Sequence, residues 1–526
     1  FFLFFRSFRA TFISMFVVLI GVMWAFGILG LLSYEITILT ALIPPLIIVI
    51  GVPNCIFLIN KYQQEIAKHG NMFKSLQRVI MKIGYATLMT NLTTASGFAT
   101  FILTDSKVLK EFGIVASINI IIIFILSLFI IPIAYSFMSL PSKKHLKHLK
   151  SPYLKNFINW LENSVIYKRI NVYIISIVSL TIGIIGIYQI NISASIIEDM
   201  PKKSQFFRDI LFFDDEFNGI VPLEIIVDSR RKGGATRLST LKRIDKLEQY
   251  IEDIPELSAP ISTVRGFKFF KQAYYNGNPK YYKLPTSQEN SFITRYLKNL
   301  NSSNGLMGNY IDSNSQFNRI TTFMKDIPSD RIEEIEEDLI KKIDEIFPPN
   351  LYKVKLTGKT LLYLKGTYYL IRNLIFSLSL AILLIALFMA YMFRSPKMIV
   401  ISLIPNLLPL IITAGVMGFS GIPLKPSTIL VFSIAFGISV DDTIHFLAKY
   451  RQELIANNRK VKAAVYISLR ETAVSMFYTS IVLFFGFAVF MSSNFGGTVA
   501  LGGLVSVTLL FAMLANLILL PSLLLS

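Results

Sequence analysis

Apolar residues run along this chain in blocks of about twenty, separated by short polar clusters, and blocks of that length cross a bilayer core as helices. Ten spans are predicted: 10–32, 36–59, 84–103, 112–138, 171–190, 371–392, 398–420, 427–448, 471–491 and 499–524. Between 191 and 370 the pattern turns polar and changes period. Leu223–Val227 reads as a strand, and Leu241, Ile244, Leu247, Ile251 and Ile254 recur at helical spacing. Ile320–Met324 reads as a second strand, and residues 329–347 as a helix with Ile332, Ile335, Leu339 and Ile343 on one face. Val354–Leu356 returns as a strand that stops at Gly358. Paired strand–helix–strand units predict a small α+β sandwich. The Glu-rich face of its second helix is expected to be solvated.

The expected organisation is a first-half membrane bundle (1–140), a linker helix (141–170), an entry helix (171–190), an α+β domain (191–370) and a second-half bundle (371–526). In the linker, Leu146, Leu149, Leu154, Phe157, Ile158 and Leu161 are helically spaced beside several lysines. That pattern predicts an amphipathic helix lying on an anionic leaflet.

Composition agrees with the spans. Of 526 residues 53% are hydrophobic and only 16% charged, with a mean hydropathy of +0.56, which excludes a soluble enzyme. The single cysteine, Cys55, excludes a disulfide scaffold. A formal charge of +19 raises nucleic-acid binding, but the charges are sorted by loop. Loops on one side carry Arg6 and Arg9, five basic residues from Lys61 to Lys82, seven from Lys143 to Arg169, Arg394 and Lys397, and six from Lys449 to Arg470. These 22 face only Lys107, Lys110 and Lys425 on the other side, so the richer side is expected to be cytoplasmic. Residues 191–370 then lie outside, and no nucleic-acid partner is expected.

The chain repeats itself. Phe5-Arg6-Ser7 returns as Phe393-Arg394-Ser395, and Lys61-Tyr62 as Lys449-Tyr450, at an offset of 388. Gly97-Phe98-Ala99 returns as Gly486-Phe487-Ala488, with Gly113 and Pro132 as Gly502 and Pro521, at 389. Two parallel halves place a transport path near their interface. The chain opens with Phe1 in an apolar stretch, so a fragment of a longer protein is expected, lacking the first half's own entry helix and external domain.

The halves differ where chemistry is possible. Gly51 to Phe57 aligns with Ser439 to His445, and only the later copy holds ionisable groups: Asp441, Asp442 and His445. The acids precede Lys449 by seven and eight residues, roughly 10–12 Å inside the helix end at about 1.5 Å per residue. A carboxylate at that depth costs about 2.5–3.5 kcal/mol and marks an ion or proton path. Burial and a neighbouring acid both favour keeping a proton, which His445, one turn on, can pass towards the cytoplasm. Ser475, Tyr478, Thr479 and Asn54 are the expected polar contacts. No metal or cofactor site is read.

The run Gly437-Ile438-Ser439-Val440-Asp441-Asp442-Thr443-Ile444-His445-Phe446 resembles the mid-bundle helix of the resistance–nodulation–division (RND) superfamily, especially its MMPL-like and Patched-like branches. Thr90-Asn91-Leu92-Thr93-Thr94-Ala95-Ser96-Gly97-Phe98 resembles the helix after it. The resemblance implies a mainly α, polytopic membrane protein with an internal repeat and a ferredoxin-like periplasmic porter domain. It also implies proton-coupled export of a hydrophobic, lipid-like substrate in the bacterial inner membrane. The relay role carries to Asp441 and Asp442 but not to Pro53-Asn54, which departs from the acidic pattern of symmetric members.

The main alternatives are a lipid-binding sensor of the sterol-sensing type without transport, and a protein-translocation accessory. No enzyme is expected. An aspartyl protease needs carboxylates converging from different helices, and no Walker-type phosphate loop occurs. A homo-oligomer or a periplasmic partner protein stays open.

Overall fold

Ser7 caps the first helix, α1 (Phe8–Leu31), its hydroxyl oxygen accepting the Ala10 N–H at 3.3 Å. A short 3₁₀ turn leads to α2 (Ile43–His69), which Gly70 ends in the left-handed conformation at φ 65°. Asn71 then caps α3 (Met72–Ala99) by accepting the Lys74 N–H at 3.0 Å. After α4 (Lys107–Ser136) come α5 (Pro152–Tyr167) and α6 (Arg169–Ile187). The computed structural model describes residues 7–37, 39–138, 152–193, 195, 197–290 and 308–526. They form two compact units: Phe1–Asn191 with Leu370–Ser493 and Gly497–Ser526, and Ile192–Tyr369 with Asn494–Gly496.

The second unit opens with α7 (Gln205–Glu216) and then β1 (Val221–Asp228). α8 (Leu238–Glu252), α9 (Thr263–Tyr274), β2 (Phe317–Met324), α10 (Ser329–Ile346) and β3 (Lys353–Thr357) follow. β1 is the central strand, antiparallel to both neighbours, with Ile225 opposite Ile320 of β2 and Leu356 of β3. Two isolated bridges, Leu257–Met324 and Ile261–Thr321, run along the outer edge of β2. Leu223, Ile225 and Val227 alternate into the core, where they meet Leu241, Ile244, Leu247 and Ile251 of α8 and Ile332, Ile335, Leu339 and Ile343 of α10. Glu248 of α8 is buried at the edge of this layer and accepts the Ser262 hydroxyl.

The second half consists of α11 (Lys359–Phe393), α12 (Pro396–Phe419), α13 (Pro426–Ala456), α14 (Val461–Ala488) and α15 (Gly496–Leu514). A π-helical turn (Ala515–Leu519) joins α15 to α16 (Leu520–Leu524). The repeat is exact at the helix ends: α1 and α12 start and stop 388 residues apart, α3 and α14 389 apart. The extra residue sits in the turn before α14, where Asn458 and Arg459 both adopt positive φ while the first half uses Gly70 alone.

The halves exchange partners. α3 lies along α13, with the Thr94 hydroxyl donating to the Gly437 carbonyl at 3.0 Å and Gly97 facing Gly437. α14 lies along α2, with Asn60 Nδ2 donating to Ser475 Oγ at 2.9 Å. α6 instead packs on α12 at backbone distance. A Cβ on Gly415 would come within 2.6 Å of the Gly183 Cα, and one on Gly418 would overlap the Gly186 carbonyl.

Two expectations change here. Ten spans were read, but among the described residues nine helical segments are long and apolar enough to cross a membrane. The tenth, 84–103, is the end of α3 plus a 3₁₀ turn at Thr100–Leu103, and its threonines and Asn91 dilute its hydropathy. Linker residues 139–151, with Leu146 and Leu149, lie outside the described residues. The described part, α5, docks on protein: Leu161 and Val165 are fully buried in the second-half core, Phe157 packs on Phe477, and Glu162 accepts from Arg470 at 2.7 Å.

Candidate functional site

α13 carries the acids on the face turned towards α2, α3 and α14. Asp442 Oδ2 accepts the Ser480 hydroxyl at 3.0 Å. Asp441 Oδ1 lies 3.3 Å from His445 Nε2, close enough for attraction but off the line of a hydrogen bond. The i, i+4 spacing produces that approach. The His445 ring rests on Phe57 of α2, with centroids 3.9 Å apart.

Three small cavities follow one another along this face. The first, about 20 Å³, lies among Pro53, Asn54, Asn91, Thr94, Asp441 and Leu483. The second, about 10 Å³, lies among Pro53, Asn54, Asp441, Asp442, His445 and Thr479. Each has room for about one water. The third, about 160 Å³, starts at Phe57 and His445 and widens among Lys61, Lys68, Arg78, Lys449 and Glu471. Several of its charges are paired: Lys449 contacts Glu453 at 2.8 Å and Glu471 at 2.9 Å, and Arg78 contacts Glu65 at 3.2 Å. Phe57 and His445 line both the second and third cavities, so this ring pair separates the acids from the charged mouth.

The opposite face of α13 is fixed by a buried chain of hydrogen bonds. Asn406 Nδ2 donates to Thr443 Oγ1 at 2.8 Å, Thr443 donates to Asn516 Oδ1 at 2.6 Å, and Asn516 Nδ2 reaches the Ser439 carbonyl at 3.2 Å. Asn516 sits in the π-helical turn. The first-half counterparts are Val18, Cys55 and Ser127, so this lock exists in one half only.

Of the expected polar contacts, Asn54 and Thr479 line the acid cavity. Ser475 and Tyr478 do not. Ser475 accepts from Asn60, and the Tyr478 ring lies beside Phe477. Successive residues on a helix turn by about 100°, so Met476, Thr479 and Ser480 face the acids while Ser475 is rotated past them. Ser480, not among the expected contacts, is marked by the repeat, since it occupies the position of Asn91. No cluster of three or more metal-ligating side chains exists among the described residues.

Residues 324–526 match the MMPL family, and residues 6–152 match the sterol-sensing domain of SREBP cleavage-activation. The resemblance to the MMPL-like branch of the RND superfamily holds. A membrane protein of Methanocaldococcus jannaschii is 22% identical over 335 residues, 62% of this chain and 82% of that protein. The apo-petrobactin exporter of Bacillus anthracis is 22% identical over 201 residues, 35% of this chain and 27% of the exporter. The MMPL-like half contains both acids and His445, and the sterol-sensing-like half contains Asn54, Phe57 and Asn91.

Proposed function

We propose that this protein exports a hydrophobic or amphiphilic, lipid-like substrate across or out of a bacterial cytoplasmic membrane, driven by protons entering through Asp441 and Asp442. The observation that carries the reading is the adjacent pair of half-buried carboxylates opening, past His445 and Phe57, onto a charged mouth at the lysine-rich end. In this reading the acid pair carries the proton and His445, one helical turn on, hands it to the mouth. The basic loops support a cytoplasmic mouth, which leaves Ile192–Tyr369 in the periplasm. That unit reads as a ferredoxin-like porter: one helical layer on an antiparallel sheet, with a fourth strand reduced to the bridges at Leu257 and Ile261. A relative named as an exporter supports outward transport.

The test is flux of a fluorescent phospholipid from proteoliposomes with and without an imposed pH gradient. Asp441→Asn/Asp442→Asn is expected to abolish the gradient-dependent part while the protein still reconstitutes. Gradient-driven flux that survives the double substitution sinks the coupling.

A second reading, a lipid sensor without transport, is favoured by the sterol-sensing match over residues 6–152. It predicts saturable lipid binding with no flux under any gradient.

A further inference from the structure

The internal repeat gives one lysine two different settings. Lys61 of α2 and Lys449 of α13 are counterparts, as are Glu65 and Glu453 one turn on. In the second half the i, i+4 pair is closed: Lys449 contacts Glu453 at 2.8 Å, and Glu471 of α14 adds a second contact at 2.9 Å. In the first half Glu65 is drawn away, to Arg78 at 3.2 Å and to Lys68 at 3.6 Å. The positions of those two competitors hold Ile467 and Ala456 one repeat later, so Glu453 stays on Lys449. Glu471 has no acidic counterpart either, since Lys82 stands in its place.

Lys61 is left over. It is half-buried and lines the charged mouth, the cavity of about 160 Å³ walled by α2, α3, α13 and α14. Among the described residues no carboxylate lies within 4.0 Å of its ammonium. Glu471 attracts it only from further off, while Lys68 and Lys449 repel it. The acids of the mouth are already in use: Glu65 serves Arg78 and Lys68, and Glu471 serves Lys449 and Lys68. Even with Glu453 counted beside Lys449, one positive charge stays uncompensated. A cation held away from bulk water is unfavourable unless a counter-charge reaches it. A cleft whose walls carry one sign in excess concentrates that counter-charge.

We infer that the charged mouth is a binding site for a single phosphate group, held on Lys61. The cavity is several times the roughly 30 Å³ that one water occupies, so it admits a tetrahedral oxyanion. A lysine ammonium partners phosphate as a point charge, and the amide of Gln452 lines the same space as a further donor. Phosphate offers three or more acceptor oxygens to donors that arrive from different helices, where a carboxylate offers two. The group can come free in solution or on a lipid head, since the recognition is the same. The site follows from the pairing among charges and stands whether or not protons pass His445.

Two probes separate the sources. The full chain in phosphatidylcholine nanodiscs is dialysed against radiolabelled inorganic phosphate, with chloride holding the ionic strength constant. In detergent micelles, native mass spectrometry counts phosphatidic acid retained against phosphatidylcholine. Saturable binding in the first arm marks a site for free phosphate, and retention of phosphatidic acid alone marks a site for a lipid head. In whichever arm binds, Lys61→Gln and Lys61→Met are expected to weaken binding roughly tenfold, and Lys61→Arg to keep most of it. Both neutral variants lose an unpaired charge, so their thermal midpoints should be unchanged or higher. Lys462→Gln, at an exposed position outside the cavity, should bind as the parent chain does. Binding in neither arm overturns the inference, as does binding indifferent to Lys61→Gln. An equal loss with Lys61→Arg or with Lys462→Gln overturns it too, because the cause would then not be the charge at Lys61.

Discussion

Asn54 donates its Nδ2–H to Oδ1 of Asn91 at 2.8 Å, and the same two positions one repeat later hold Asp442 and Ser480 in a hydrogen bond of 3.0 Å. The scaffold thus keeps one polar pairing in both halves and places a carboxyl group in it in one half only. Because Asn54 lines the same small cavity as Asp441 and Asp442, the acid can be moved across that cavity by mutation. Asp442→Asn should lose gradient-driven flux, and adding Asn54→Asp should restore part of it. Flux in the double variant no higher than in Asp442→Asn would show that the helix, not the cavity, fixes where the acid must be.

Breaking the asparagine pair on one side should cost more than removing both partners. Asn91→Leu leaves Asn54 buried without its partner, at about 1–3 kcal/mol, whereas Asn54→Leu/Asn91→Leu should recover part of that loss. Thermal unfolding in detergent micelles gives the comparison.

The glycines make a second paired prediction. Gly418→Ala puts a methyl group into the Gly186 carbonyl and must push α6 from α12, costing about 1–3 kcal/mol or more. Gly30→Ala, at the equivalent position, meets open space and should be neutral or stabilising by about 0.5–1 kcal/mol, since alanine suits a helix better. The thermal midpoint should fall for Gly418→Ala and hold or rise for Gly30→Ala.

Glu248 gives the α+β unit a pH dependence. Burial, and secondarily Asp245 nearby, push its carboxyl up to about 7, against the lowering pull of Ser262, Lys268 and Arg265. Its ordinary value is 4.5, so between about 4.5 and 7 the folded unit holds a proton that the unfolded chain has released. Stability from this group is full below that window and is lost as pH rises through it, by up to about 3 kcal/mol. Hydrogen exchange of α8 peptides, corrected for intrinsic rates, should show weaker protection at pH 8 than at pH 5, and Glu248→Gln should flatten the difference.

The lock behind the acids should be stability-critical. Thr443→Val keeps the shape but leaves the fully buried Asn516 Oδ1 without its donor and Asn406 Nδ2 with the Ser402 carbonyl alone, at about 1–3 kcal/mol. Cys55, its counterpart, is buried beside the Ser14 hydroxyl and holds no amide in place, so Cys55→Val should cost less in the same unfolding assay.

Much of this was legible beforehand because two signals are independent of tertiary packing. Apolar length marked the spans, and a constant offset matched the halves helix by helix. The Asp441–His445 approach followed from helical spacing alone. What stayed hidden depends on how each helix is rotated. Ser475 and Ser480 are both serines in the middle of α14, and only packing turns one to Asn60 and the other to Asp442. The Asn406–Thr443–Asn516 chain joins residues from three separate elements with no common motif. α7 and α9 went unread for another reason: α7 buries no residue fully, so it has no core-facing stripe, and α9 buries only Thr263, Val264 and Phe267.

The crossed packing of α3 on α13 and of α14 on α2 means that neither repeat owns a finished interior. Thr94 finds its acceptor, and Asn60 its hydroxyl, across the divide. A chain cut between the repeats would yield two pieces that must clasp before either can hide its amides and hydroxyls from lipid. During synthesis the first repeat therefore waits, half dressed, until the second is inserted beside it.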